Sequence, residues 1–200
     1  MVIRVRILIL RKRLLHDFFF EVKPDRFMKM KGSDSSYLDY ALFLNVINSQ
    51  ISINPNQKVG NCFGLTSLYN VFLDRMKINH KYVECVFFDN NWAHGMSGID
   101  VGDDLILVET CYKNGFDTSP KRAALHGNTF FLLRNSNVLV HDNYRLRSED
   151  ALTNNNFGEA LRLDMEAEKV GTLGWYRLLQ YGHFRELYVP GYENIVEFVP

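Results

Sequence analysis

Three residues of this chain have the types and the order needed for nucleophilic catalysis: a cysteine, a histidine and an acid. Cys62 lies between two glycines at the start of an apolar stretch, His94 lies two residues after a tryptophan, and Glu109 follows the apolar run 105–108. A thiol, an imidazole and a carboxylate can act as nucleophile, base and the group that orients the base. The pattern predicts a catalytic triad of Cys62, His94 and Glu109 for acyl transfer.

The residues after Cys62 predict the helix that would position it. Apolar side chains recur at helical spacing, at positions 65, 68, 69, 72, 73 and 76. Cys62 would then lie in the first turn, where backbone N–H groups and the helix dipole favour a thiolate and can also hold an oxyanion. Gly60 and Gly64 are expected to leave room for a substrate backbone. Asn61 and Trp92 are weaker candidates for holding the oxyanion or covering the site.

The other two residues of the triad fall on predicted neighbouring strands. Residues 93–101 and 105–110 are predicted as two strands joined by a turn at 102–104. If that turn centres on Asp103, His94 faces residue 112, and a bulge is needed to bring Glu109 beside it. Asp100 and Asp104 are the rival acids.

A cysteine that opens an apolar helix, a histidine on a strand, and Glu109-Thr110 at the end of the next strand together resemble the transglutaminase-like superfamily. The resemblance covers about residues 36–112. It implies an α+β, papain-like core in which a nucleophile helix packs on an antiparallel sheet. Carried onto this chain, Cys62 is the nucleophile, His94 the base and Glu109 the orienting acid. The family more often has Asp at the acid position, and an aromatic residue where this chain has Met96.

These features give two hypotheses for the function. The first is a cysteine enzyme that forms a thioester at Cys62 with a peptide or amide, resolved by water or by an amine, with hydrolysis favoured. The alternative is an inactive transglutaminase-like scaffold or protein-binding module, which the departures at Glu109 and Met96 motivate. A zinc site made by Cys62, Cys85, Cys111 and His94 is a minor possibility, because zinc accepts such ligands but the usual short cysteine pairs are absent. No metal or other cofactor is expected.

Composition limits the classes of partner and the cellular location to be expected. Of the 200 residues, 46% are hydrophobic and 23% charged, with a formal net charge of +0, which does not favour nucleic acid or an anionic membrane as the main partner. Three cysteines do not suggest a disulfide framework, and no apolar run is long enough to cross a bilayer. We therefore expect a cytoplasmic protein with a protein or peptide substrate; the oligomeric state stays open.

Three segments are expected along the chain: an N-terminal arm or strands over 1–34, a catalytic core over 35–140, and a helical segment over 141–200. Within the core, a helix is predicted from about residue 36 to residue 48. Strands are predicted near the start of the chain and over 18–22, 82–88, 129–133 and 138–140. In the last segment, helices are predicted over 148–168, 175–181 and 192–198, and this segment faintly resembles a tetratricopeptide unit.

Overall fold

The computed structural model describes residues 2–30, 36–87, 92–100, 105–116, 129–134, 137–170, 184–189 and 192–198. Within these ranges the chain is an α+β protein, as predicted. Its helices are α1 Val2–Val22, α2 Tyr37–Ala41, α3 Phe43–Ile51, α4 Cys62–Arg75, α5 Asn137–Thr153 and α6 Phe157–Val170. Its strands are β1 His80–Phe87, β2 Trp92–Asp100, β3 Leu105–Val108, β4 Thr129–Arg134, β5 Phe184–Val189 and β6 Tyr192–Phe198.

The strands form one sheet in the order β3-β2-β1-β4-β6-β5. The first four strands of that order are antiparallel, β4 and β6 pair in parallel, and β5 and β6 form an antiparallel pair at the far edge. The strand that carries His94, β2, therefore lies between β1 and β3. Residues 97–100 of β2 pair with β3, whereas His94 pairs with Cys85 of β1, so the ladder with β1 positions the His94 backbone.

The central helix α4 forms where its apolar spacing predicts. Its N-cap is Asn61, whose side-chain oxygen accepts a hydrogen bond from the Gly64 amide at 2.9 Å. The cap satisfies one of the amides that a helix start leaves unpaired. The buried face of α4 packs with residues of β2 and β3, including Ile99 and Val108, in the largest described core cluster. The predicted helix and its first residue are therefore confirmed.

The segment before α4 is two short helices rather than the single helix predicted. The chain is extended at Leu42, with φ −65° and ψ 125°, which separates α2 from α3. The break leaves the Tyr40 carbonyl to accept a hydrogen bond from the Asn61 amide at 2.9 Å. This contact ties α2 directly to the start of α4, where Cys62 lies.

The glycines around Cys62 allow neighbouring helices of the protein itself to pack closely, which differs from the expectation. A Cβ on Gly64 would collide with the Tyr40 carbonyl and would lie 2.6 Å from Val46 Cγ2; one on Gly60 would lie 3.0 Å from the same carbonyl. The space that these glycines leave is therefore filled by the protein's own α2 and α3. The prediction that they admit a substrate backbone is wrong.

The strands predicted near the N-terminus and over 18–22 are also wrong, because residues 2–22 form the single helix α1. The buried positions of α1 include Lys12, His16, Phe19 and Phe20, which recur at helical spacing. Two of the four are polar, so a reading of apolar residues alone does not detect the stripe. The Tyr69 hydroxyl donates a hydrogen bond to the Lys12 carbonyl at 3.0 Å and joins α1 to α4.

The C-terminal segment is only partly helical. Residues 138–140, predicted as a strand, begin α5, and the helix predicted over 148–168 is broken into α5 and α6 around Asn155, which has a positive φ of 57°. Residues 192–198 form β6 instead of a helix, because they pair with both β4 and β5. The helix predicted over 175–181 lies outside the described residues. Within the described ranges, no helix is long and apolar enough to cross a membrane.

Candidate active site

The three predicted catalytic residues come together where α4 begins, beside β2 and the end of β3. His94 and Glu109 are both buried, and Nε2 of His94 contacts Oε2 of Glu109 within hydrogen-bonding range. The Cys111 amide donates a hydrogen bond to Oε1 of Glu109 at 2.9 Å. The carboxylate is therefore held from both sides, one oxygen by the imidazole and the other by the backbone.

The strand register explains how Glu109 reaches His94. Ser97 pairs with Val108 and Asp100 with Leu105, so the register continued along β2 sets His94 opposite residue 111 rather than 112. Side chains alternate along both strands, so Glu109, the residue after β3, shares the face that carries His94. The bulge expected from the sequence is unnecessary, because the register differs by one residue. Glu109 is the acid beside His94, and its rival Asp100 lies at the other end of β2.

The electrostatics of this cluster favour a charged imidazole. Burial opposes a charge on His94, but the Glu109 carboxylate and hydrogen bonds with Cys62 and Glu109 outweigh it and raise the pKa of His94 to about 10. Burial likewise opposes a charge on Glu109, and the nearby imidazolium overcomes it and lowers the pKa of this carboxyl. Because Nε2 of His94 is hydrogen-bonded with Glu109, Nδ1 is the ring nitrogen that can exchange a proton with the Cys62 thiol.

Cys62 is the first residue of α4 and is only partly buried, unlike Cys85 and Cys111. Burial raises the pKa of both of those thiols well above the ordinary value, with the Glu109 charge adding to the effect. A buried thiol that resists ionisation is a poor nucleophile. Of the three cysteines, Cys62 is therefore the least buried and the one whose thiol is hydrogen-bonded with His94.

Two polar side chains border the thiol. The oxygen of the Asn61 amide accepts from Gly64, which leaves Nδ2 as the donor of this buried side chain; within the described residues Nδ2 has no partner with full hydrogen-bond geometry. Tyr37 lies beside Asn61 and Cys62; burial chiefly, with the charge at Cys62, raises the pKa of Tyr37 to about 12, so its hydroxyl stays protonated. Asn61 therefore borders Cys62, and its expected part in holding an oxyanion stays a prediction. The side chain of Trp92 lies outside the described part of the structure.

Hydroxyl groups link α4 to β2 and to the segment that follows β3. The Thr66 hydroxyl donates to the Gly95 carbonyl at 3.0 Å and lies 3.0 Å from the Thr110 hydroxyl. These bonds join α4 to the residues that follow His94 and Glu109. Sequence reasoning did not identify Thr66, although its position one helical turn after Cys62 places it on the same face of α4.

A tight turn after β3 fixes the backbone of Glu109. The Glu109 amide donates to the Gly115 carbonyl at 2.8 Å, and a Cβ on Gly115 would lie 2.8 Å from Glu109 Cβ. From α1, Nε2 of the buried His16 lies 3.3 Å from the Glu109 carbonyl. Burial lowers the pKa of His16, so the neutral ring that can donate this hydrogen bond is favoured.

The groups that could hold a metal differ from the predicted zinc set. Within the described residues, donor atoms of His94, Glu109 and Cys111 lie within 4.8 Å of one another, and Cys85 pairs with His94 across β1 and β2. Only His94 and Cys111 are shared with the zinc set predicted from the sequence. These same groups already bond one another, and the high thiol pKa of Cys111 disfavours the thiolate that zinc prefers.

Comparison with protein-family models, with curated proteins and with solved structures finds no match for this chain. The geometry of the site therefore carries the functional argument by itself.

Proposed function

We propose that this protein is a transglutaminase-like cysteine enzyme that cleaves a peptide or amide bond through a thioester at Cys62. The observation that carries the proposal is the contact of Glu109 with the same buried imidazole that bonds the Cys62 thiol. A carboxylate that orients a base, and a base beside a nucleophile at a helix start, are the parts that acyl transfer needs.

In the first half of the reaction, the Cys62 thiolate attacks the carbonyl carbon of the substrate. The charge that develops on the carbonyl oxygen is stabilised by backbone N–H groups at the start of α4 and by Nδ2 of Asn61. Protonated His94 then gives its proton to the departing amine, the C–N bond breaks, and the acyl group remains on sulfur as a thioester.

In the second half, neutral His94 accepts a proton from the incoming nucleophile, which attacks the thioester. Water gives a carboxylic acid, and an amine gives a new amide; in both cases the C–S bond breaks and Cys62 is regenerated as the thiolate. Glu109 keeps Nδ1 of the imidazole turned toward sulfur and stabilises its positive charge. Hydrolysis is the favoured outcome, because transamidation needs a site that excludes water.

An activated ester tests the nucleophile before a natural substrate is known. With p-nitrophenyl acetate, Cys62 should become acetylated with release of p-nitrophenolate, and water should then release acetate. Mass spectrometry of peptides locates the acetyl group, and the absorbance of p-nitrophenolate gives the rate. Adding glycinamide measures how the acetyl group divides between water and an amine.

The matched controls are Cys62→Ala and Cys85→Ala, each of which removes one thiol. Turnover should vanish in Cys62→Ala and persist in Cys85→Ala, because the Cys85 thiol is buried and resists ionisation. Turnover that survives in Cys62→Ala would overturn the proposal. A stably folded wild-type protein with no acetylation at Cys62 would favour the alternative, a binding module without catalysis.

A further inference from the structure

A second concave site lies among the helices and shares no lining residue with the catalytic triad. It is a cavity of about 690 Å³ bordered by α3, α4, α5 and α6. Apolar side chains form much of the lining, among them Leu42, Val71, Leu139 and Leu163. Its size falls in the range of sites that enclose a small organic molecule.

The wall contributed by α4 carries two buried polar side chains with unused hydrogen-bonding atoms. Ser67 and Asn70 line the cavity and are 3% and 2% exposed. Ser97 donates to Oδ1 of Asn70, which fixes Nδ2 as the donor side of the amide. Within the described residues, neither Nδ2 of Asn70 nor Oγ of Ser67 has a partner. A buried donor without a partner costs free energy that a ligand acceptor would recover.

Charges around the cavity select against anions. The carboxylates of Asp74, Asp150 and Glu159 line it, and Arg147 is the cationic side chain among the lining residues. Arg147 lies 3.9 Å from Glu159, which also forms a bidentate ion pair with Arg162, so Asp74 and Asp150 are the carboxylates that leave the lining negative. A ligand carboxylate or sulfonate would face an excess of negative charge.

We propose that this cavity binds a small apolar molecule, neutral or cationic, whose carbonyl-type oxygen accepts hydrogen bonds from Asn70 and Ser67. The apolar body of the ligand contacts the leucine and valine side chains of the lining. The proposal does not depend on the catalytic function, because Cys62, His94 and Glu109 are not part of the cavity.

The test uses a naphthalene dye with a carbonyl acceptor, 6-propionyl-2-(dimethylamino)naphthalene, whose emission shifts to the blue in apolar surroundings. Titration of the wild-type protein should give saturable binding of one dye per chain. The sulfonated dye 1-anilinonaphthalene-8-sulfonate should bind at least about tenfold more weakly, because its charge meets the acidic lining. Equal affinity for both dyes would overturn the proposed ligand class.

Two tryptophan substitutions at exposed helical positions locate the dye. Val71→Trp fills part of the cavity and should weaken binding at least about tenfold, whereas Leu161→Trp on α6, outside the lining, should leave affinity unchanged. Ser67→Ala removes a hydroxyl that has no partner within the described residues and should weaken binding without loss of stability. Cys62→Ala should bind normally.

Chemical-shift changes in the wild-type protein give a readout that does not depend on any variant folding. Adding the carbonyl dye should shift the side-chain amide signal of Asn70 and the backbone signals around Ser67. The absence of saturable binding, shifts confined to residues away from the cavity, or unchanged affinity in a folded Val71→Trp variant would each overturn the proposal.

Discussion

At the scale of single residues, the proposed chemistry depends on a buried imidazole that carries a positive charge. His94 gains this charge because Glu109 and Cys62 face it, although burial alone would favour the neutral ring. An imidazolium beside a thiol favours the thiolate, which is the form that attacks a carbonyl. In the proposed mechanism Glu109 acts through His94 and is a positioning residue.

The raised pKa of His94 predicts a pH dependence of folding stability. The ordinary pKa is 6.5 and the folded value is about 10, so the native state holds this proton more tightly than the unfolded chain does. The stabilisation is complete below about pH 6.5 and is lost as pH rises through about 10. We expect the difference in unfolding free energy between wild type and His94→Gln to shrink by a few kcal/mol across this window.

Urea denaturation at a series of pH values measures that difference, and comparison with the variant cancels the titration of other groups. His141→Gln, which alters a histidine on α5 outside the site, is the control for the loss of a histidine as such. A difference between wild type and His94→Gln that stays constant, or grows, as pH rises through this window would show that His94 does not carry the charge.

Residue types and spacing were enough to select Cys62, His94 and Glu109 from the sequence. Tyr37 could not be selected in this way, because it lies 25 positions before Cys62 and reaches the thiol only through the packing of α2. The spacing of Thr66 from Cys62 predicts that both side chains lie on one face of α4. It does not predict that Thr66 bonds with Gly95 and Thr110, because those residues are far away in the sequence.

At the scale of elements, the start of α4 is placed by its contact with α2. The Tyr40 carbonyl receives the Asn61 amide and lies against Gly64, so a side chain at position 64 would push α2 and α4 apart. The nucleophile would move with the helix start. The position of Cys62 is thus set by neighbouring elements as well as by its own helix.

Gly64→Ala tests this dependence. Its added Cβ would meet the Tyr40 carbonyl and lie 2.6 Å from Val46 Cγ2, and we expect overpacking to cost about 1–3 kcal/mol of unfolding free energy. Alkylation of Cys62 should also slow. Gly158→Ala on α6 is the matched control, because among the described residues nothing lies within 4 Å of its added Cβ.

Urea denaturation of the two glycine variants measures the difference. Gly158→Ala should match wild type or exceed it slightly, since alanine favours a helix. Equal stability of the two variants would show that the contact of Gly64 with α2 and α3 is not tight.

Most of the elements that the sequence predicted correctly have a strong apolar pattern, the exception being β2. The correctly predicted elements are α4 and the strands β1, β2, β3 and β4. The N-terminal helix was missed because polar Lys12 and His16 occupy its buried face. The sequence predicts a helix where the structure has the last strand, β6. Its pairing with β4 is a long-range contact, which the pattern of neighbouring residues does not reveal.

At the scale of the whole molecule, the N-terminal region contacts the backbone on which the site is built. His16 of α1 reaches the Glu109 carbonyl, and Phe27 and Met28 pair with Gly60 just before the nucleophile. Arg26 is 2% exposed, and its guanidinium carbon lies 4.7 Å from the centre of the Phe19 ring. Residues far apart in sequence thus jointly fix the backbone around Cys62 and Glu109.

The docking of α1 also buries positive charge. Nζ of Lys12 and two guanidinium nitrogens of Arg26 have no hydrogen-bond partner within the described residues. Burial lowers the pKa of Lys12, and it lowers the pKa of Arg26 to about 10. Burying such groups costs free energy that apolar contacts along α1 must offset. Composition could not have revealed these buried cations, since the net charge of the chain is +0.

The most direct test of the central claim, that Cys62 and His94 act as a nucleophile and its base, is the rate at which iodoacetamide alkylates each cysteine. Rates are followed by mass spectrometry over about pH 5 to 10 in wild type and His94→Gln, with Cys85 and Cys111 as internal controls. Cys62 should react at least about tenfold faster than either control at neutral pH, and its advantage should disappear in His94→Gln. Three thiols that react alike, or a Cys62 rate that His94→Gln leaves unchanged, would contradict the account.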